Sequence, residues 1–168
     1  MENTELSLYV PRLDELGFYQ KMLADPATMA YNAPWFPPDG CIPFPEEEWA
    51  AWHAAWVGRE PERFFAYLRR EADGAFVGNV NYRYTPERDW WDMGIVLHAP
   101  TRGRGYGRQG LSLLLDRAFR VDGVARLHND FEPGRAAACR IHRLCGFREV
   151  GVENGCLQFL LTREEYLQ

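Results

Sequence analysis

A glycine-rich segment, Thr101-Arg102-Gly103-Arg104-Gly105-Tyr106-Gly107-Arg108, separates two apolar runs of different period. Before it, Ile95 to Leu97 lead to Pro100; after it, Leu111, Leu114, Leu115, Ala118 and Phe119 recur at helical spacing. The order reads as strand, tight turn, helix. Glycines let backbone N–H groups turn inward without interference from a Cβ. The helix that follows aims the positive end of its dipole at the same point. Arg102, Arg104 and Arg108 add fixed charge. Such a turn is suited to a phosphate or pyrophosphate, so the chain is expected to bind a phosphorylated cofactor.

Two better-known phosphate loops are excluded. A Walker A loop needs Lys-Ser or Lys-Thr after its glycines, and Arg108-Gln109 stands here. A dinucleotide fingerprint follows the first strand of a βαβ unit, whereas this turn follows roughly the fourth strand.

With 168 residues the chain is long enough for one domain, 1–168, with a substantial core. A net charge of −5 argues against nucleic acid as a partner; it is compatible with a cationic one and equally with a charge that only keeps the protein in solution. No apolar stretch reaches the ~18 residues that span a bilayer, and the acidic start Met1-Glu2-Asn3-Thr4-Glu5 does not read as a signal peptide. Cys41, Cys139, Cys145 and Cys156 show no metal-ligand spacing, so no metal is expected and reduced thiols in the cytoplasm account for them.

Along the chain, Leu6 to Val10 alternate as a short strand, and a first helix is expected over Asp14 to Ala24, ended by Asp25-Pro26. Residues 31–45 form a proline-rich loop carrying Tyr31, Trp35, Phe36 and Phe44; these rings fit either a functional loop or a lid on the core. A second helix starts at Pro45, with Trp49, Trp52, Ala55 and Trp56 as its apolar stripe. Strands are expected over Phe64–Arg70, Phe76–Tyr84, with Gly78 marking a bulge, and Trp90–Leu97. A helix over 108–121 follows, then a strand from Val124 to Phe131 and a helix from Arg135 to Leu144. A hairpin, Phe147–Val152 and Cys156–Leu161, turns at Asn154-Gly155. The fold class is α/β: a mixed, mostly antiparallel sheet of about seven strands with helices on both faces.

Arg102-Gly103-Arg104-Gly105-Tyr106-Gly107 resembles the Arg/Gln-x-x-Gly-x-Gly/Ala motif of the GNAT superfamily of acetyl-CoA-dependent N-acetyltransferases. A second segment, Ala138-Cys139-Arg140-Ile141-His142-Arg143-Leu144-Cys145-Gly146-Phe147, resembles that family's closing helix and its Gly-Phe end. The resemblance runs over nearly the whole chain. It implies acetyl-CoA as cosubstrate and direct attack by an amine in a ternary complex. It also implies that the strand 90–97 splays from the strand 126–131. Pantetheine would then pair near Ile95 and Leu97, and the pyrophosphate would lie on Arg102, Gly103, Arg104, Gly105, Tyr106 and Gly107, with Arg108 beside it. Arg102 reads more readily as a turn residue than as a phosphate clamp.

Three departures from the family pattern matter. Arg135 stands where relatives often have Asn; it would either contact the cofactor's phosphates or sit as a solvated helix-end cation. His142 stands where relatives often have the Tyr that protonates the leaving thiolate. Either the imidazole replaces that acid, or the thiolate leaves unaided or takes its proton from water. For the base, alternation puts Trp91, Met93, Ile95 and Leu97 on one strand face and Asp92, Gly94, Val96 and His98 on the other. The resemblance assigns the base-bearing face to Trp91 and Met93, which turns Asp92 away. Asp130 or Glu132, in the cluster Asn129-Asp130-Phe131-Glu132, then becomes the expected base, against a plain turn at Glu132-Pro133-Gly134.

The expected activity is acetyl transfer from acetyl-CoA to a primary amine of a small cationic molecule. Trp35, Phe36, Trp91, Met93 and Asn129 are the expected acceptor contacts. Protein N-terminal or lysine acetylation, and acyl-CoA binding without catalysis, are the alternatives. A homodimer through the final hairpin also fits the resemblance.

Overall fold

The computed structural model describes residues 5–168. The leader reading rests mainly on residues 1–4, which lie outside the described residues. Seven strands form one sheet in the order β1-β2-β3-β4-β5-β7-β6. They are β1 (Leu6–Tyr9), β2 (Arg63–Arg70), β3 (Phe76–Thr85), β4 (Trp90–Leu97), β5 (Arg126–Phe131), β6 (Arg148–Glu153) and β7 (Cys156–Thr162). Every neighbouring pair is antiparallel except β4 and β5, which run parallel. The helices are α1 (Gly17–Leu23), α2 (Pro26–Met29), α3 (Trp49–Trp56), α4 (Tyr106–Asp116), α5 (Ala136–Leu144) and α6 (Arg163–Leu167). The bulge expected at Gly78 is present, as a register shift opposite Leu68 and Arg69. Asn154 and Gly155 both take positive φ, as a tight hairpin turn requires.

The sheet has a back and a front. On the back, Leu111, Leu114, Leu115 and Ala118 from α4 and its extension pack on Phe64, Leu68, Val80, Tyr82, Met93 and Leu127, and Cys139 of α5 joins the same core. Gly110 permits the approach of α4: a Cβ there would lie 2.6 Å from a Leu68 methyl. Each such buried leucine contributes about 1.5–3 kcal/mol, so this stripe fixes which face of β4 is covered.

On the front, α1 and α3 lie over β2 through an aromatic layer: Tyr19 and Trp52 meet Phe65, and Phe18 meets Tyr67 edge-on. Leu16, Leu23, Met29 and Phe44 close this second core.

Helix boundaries depart from the sequence expectation for local reasons. The first helix was expected from Asp14, but Leu13–Glu15 is a single 3-10 turn and α1 starts at Gly17. The Tyr67 hydroxyl enters the ladder there: it donates to Glu15 O at 2.8 Å and accepts from Tyr19 N at 3.2 Å, replacing the direct bond between them. Asp25-Pro26 ends α1 and also starts α2, with the Asp25 carboxylate capping Ala27 N and proline in the first turn. The second helix begins as a 3-10 turn over Glu46–Glu48. The helix expected over 108–121 starts at Tyr106, and its last stretch, Arg117–Val121, is a wider π-helical turn.

Candidate active site

The glycine turn sits where β4 hands over to α4. Gly103 and Gly105 have φ of +80° and +81°, and the space a Cβ would occupy at each is open. A side chain there would be strained and would project into the space the turn leaves free. Gly105 caps α4, so the N–H groups of Tyr106, Gly107 and Arg108 lie in the first turn, where a helix offers no internal acceptor. Arg104 and Arg108 are exposed beside them. Backbone N–H groups without acceptors, with arginines at the rim, are the chemistry that suits an anion.

Two of the expected cofactor residues act otherwise through their side chains. The Arg102 guanidinium is spent on backbone carbonyls of Ala27, Thr28 and Leu97, at 3.1, 3.0 and 3.2 Å. It ties the turn to α2 and β4 and has become a structural clamp. The Tyr106 ring is buried in the back core, leaving only its backbone for a ligand.

The cleft itself comes from strand divergence. β4 pairs with β3 along its whole length but with β5 only at Trp91/Leu127 and Asp92/His128. Beyond Asp92 the parallel strands part, so the edge of β4 over Met93–Leu97, including Ile95, has no strand beside it. That free edge leads from the point of divergence to the glycine turn. At the far lip, Arg135 lies over the rings of Tyr31 and Phe131, at 5.2 and 5.5 Å.

The alternation expected along β4 holds, but the face expected to bear the base and the acceptor is the one that α4 covers. Met93 is buried in the back core under α4. Trp91 packs on the same core, lies tilted against Tyr84 and donates its Nε1–H to Pro61 O at 2.6 Å. Neither can wall an acceptor site on the front. Asn129 also faces the back, with Leu127 and Phe131: its Nδ2 donates to His142 Nε2 at 3.0 Å, and its Oδ1 accepts from Asp130 N. Trp35 and Phe36 stand exposed on their loop, at 57% and 48%.

His142 does not fit an acid. It is buried among Phe131, Phe147 and Phe159. Its Nδ1–H donates to Ala138 O at 2.8 Å, and Nε2 accepts from Asn129. Burial pushes it below the ordinary histidine value, and Arg135 pushes the same way against the Ala138 bond. A neutral imidazole whose one proton is bonded to a carbonyl has none to give to a thiolate.

The front of β4, β5 and β7 carries the polar groups instead. Asp92, turned away in the sequence reading, faces front with a side chain 36% exposed. His128 Nδ1 lies 2.7 Å from Asp92 Oδ1, and Thr85 Oγ1 donates to Asp92 Oδ2. Burial works to raise the Asp92 carboxyl, but the bonds from His128 and Thr85 hold it below the usual range. His128 Nε2 lies 2.6 Å from Gln158 Oε1, and Trp90 stacks on the imidazole at 3.9 Å with planes 7° apart. Asp130 accepts from Gln158 Nε2 at 3.4 Å. Asp130 shares this face through Gln158, its partner across the β5–β7 register, and burial first, then the charges of Asp130 and Glu132, push the Cys156 thiol up. Glu132 also accepts Arg135 N at its carbonyl, so the turn expected there forms as well.

Thr85, His128 and Gln158 are not among the site residues expected from the sequence, although the strand from Val124 to Phe131 ends with unusual polarity at His128, Asn129 and Asp130. The available signal was polarity out of place: His128 sits in a strand whose neighbours are core residues, and Gln158 interrupts Cys156–Leu161.

A family model described as an acetyltransferase (GNAT) domain matches residues 6–148. The chain belongs to the GNAT family of acetyltransferases. No curated protein sequence matches it. Among solved structures, the GNAT fold is shared with a spermidine N-acetyltransferase from Vibrio cholerae in complex with CoA and spermine. That likeness has a TM-score of 0.80 at 16% identity, over 99% of this chain and 100% of the other. A GNAT-family acetyltransferase from Bacillus anthracis matches with a TM-score of 0.73 at 15% identity, over 95% and 96%. At these identities the likeness concerns the fold. The glycine turn and the parting of β4 from β5 are thus parts of a GNAT enzyme, and the family takes its acetyl group from acetyl-CoA.

Proposed function

We propose that this acetyltransferase moves the acetyl group of acetyl-CoA to a primary amine of a small polycation, with the donor in the cleft and the amine on the front of β4 and β5. The observation that carries the reading is the opposite chemistry of the two sides. Convergent N–H groups with Arg104 and Arg108 suit a pyrophosphate. Asp92, Asp130 and Glu132, on a chain of net charge −5, suit an ammonium. The structure of similar fold from Vibrio cholerae, a spermidine N-acetyltransferase in complex with CoA and spermine, supports that substrate class.

The residues present fit the donor. Pantetheine would lie along Met93–Leu97, and the pyrophosphate would lie on the amides of Gly103 to Arg108, with Arg135 at the lip. Bound acetyl-CoA supplies the thioester carbonyl. The chain contributes proximity, since two reactants held in register gain several kcal/mol over free encounter. An amine near pKa 10 must shed a proton before it attacks. Asp92 is the carboxylate at the point of divergence that meets the ammonium and relays its proton, directly or through water, on to solvent, since a carboxylate held below the usual range does not keep it. Asp130 and Glu132 hold the distal charge of the acceptor.

Among the described residues no helix is long and apolar enough to cross a membrane. Four free cysteines support a reducing compartment, the cytoplasm. The test is CoA thiol release with a panel of amines: spermidine, spermine, a neutral primary amine and a peptide with a free N-terminus. Turnover with the polyamines above the neutral amine and the peptide is expected. Turnover with the peptide alone would overturn the polycation reading.

A further inference from the structure

Asp92 and His128 are the last residues that β4 and β5 share before the strands part. Their side chains meet across that register at 2.7 Å. The bonding around His128 determines its protons. Gln158 donates from Nε2 to Cys156 O at 3.1 Å and to Asp130 Oδ2 at 3.4 Å, both pure acceptors, which fixes the amide with Oε1 toward His128. His128 Nε2 therefore donates to Gln158 Oε1, and Nδ1 donates to the Asp92 carboxylate. Both ring nitrogens carry hydrogen, so the imidazole is a cation although it is 3% exposed.

The surroundings agree. Trp90 offers its π face to the ring. Its Nε1 has no hydrogen-bond partner among the described residues, so the face, not the N–H, sets its position. The charged groups around the pair are Asp92 from β4, Asp130 from β5 and Arg83 from β3, with Arg88 over the far side of Trp90. Burial disfavours the cation, yet the bonds to Asp92 and Gln158 raise His128 above the ordinary value.

We propose that His128 is a positioning residue: held as a cation between Asp92 and Gln158, it pins β5 to β4 at the apex of the cleft and fixes the Asp92 carboxylate toward the amine. This rests on the role given to Asp92 above. Thr85 grips the second carboxylate oxygen from β3, so Asp92 is held from both neighbouring strands. When His128 loses a proton, one of its two bonds loses its hydrogen and the pin loosens. Activity then has an alkaline limb set by His128.

The experiment is the pH profile of kcat with spermidine for wild type, Gln158→Leu, Gln158→Glu, His128→Gln and Asp92→Asn. Gln158→Leu removes the acceptor that keeps the second proton and moves the limb to lower pH. Gln158→Glu replaces it with an anionic acceptor and moves the limb to higher pH. His128→Gln abolishes the limb and lowers kcat by about 10- to 100-fold, with acetyl-CoA affinity unchanged. Imidazole ¹⁵N shifts of the wild-type protein, assigned by their loss in His128→Gln, give a readout that needs no active variant: both nitrogens of His128 protonated at pH 7. A bare nitrogen there, or a limb unmoved by either Gln158 substitution while Asp92→Asn is inactive, overturns the positioning role alone. Wild-type rates from Asp92→Asn overturn the role of Asp92, and this inference with it.

Discussion

The two sides of the cleft offer a ligand different kinds of group. At the glycine turn the groups on offer are backbone amides, and the side chains either stand aside or, like Arg102, clamp the turn from behind. On the front of β4, β5 and β7 they are side chains, and each is held by another: Thr85 and His128 hold Asp92, and Gln158 holds His128. A backbone site depends on glycine and on helix position. A side-chain site depends on which sheet face is left uncovered.

The same contrast separates two buried histidines. His142, on the back, packs among phenylalanines and donates one hydrogen bond to a carbonyl, so burial keeps it neutral. His128, on the front, is as deeply buried but faces a carboxylate and an amide oxygen, and these partners raise it above the ordinary histidine value against the pull of burial. Burial alone does not set the state; the partners do.

The largest effect expected from disturbing this division comes from Asp92→Asn. It should lower kcat by about 10²- to 10⁴-fold while calorimetry shows acetyl-CoA affinity unchanged. Equal loss of binding and turnover would break the division into two sides. Next, Arg102→Ala should cost about 1–3 kcal/mol in urea unfolding, at the lower end because part of the guanidinium is exposed. It should weaken acetyl-CoA binding less than Arg108→Ala does. A reversed order would return Arg102 to the phosphates.

A smaller effect is expected at His142. His142→Phe should change kcat by less than about tenfold, below the range of a lost general acid. A larger fall, with the fold intact by circular dichroism, would restore the acid role. The smallest effect is on stability with pH. The folded pKa of His142 is depressed, so its neutral form costs nothing above the unfolded value of about 6.5. As pH falls below that, the unfolded chain takes up the proton first. Wild type should therefore lose stability relative to His142→Phe until pH passes the folded value. For His128 the sign reverses: its stabilisation is complete below the unfolded value and is lost as pH rises through the raised folded one.

The strand-turn-helix around Gly103 and Gly105 was legible because its chemistry lies in the order of the chain: an apolar run, glycines, then a helical stripe. The splay of β4 from β5 followed from the family resemblance. Which face of β4 is left uncovered was not legible in the same way. Alternation sorts Asp92 from Met93, but only the core that Met93 shares with Leu111, Leu114 and Leu115 of α4 decides which of the two is covered. His142 misled for a similar reason: its position on the helix matched an acid, while its partners, Ala138 O and Asn129, are set by the fold. The start of α1 was displaced by Tyr67, a residue 48 positions from Tyr19, whose hydroxyl no local pattern places in that helix.

The most direct test of the account is calorimetric titration of acetyl-CoA into the wild-type protein and Gly105→Glu. Micromolar binding to wild type, lost when a carboxylate is placed at Gly105 where only open space now stands, is the predicted result. Absence of binding to wild type, or undiminished binding to Gly105→Glu, would contradict the assignment of the glycine turn to the donor's pyrophosphate.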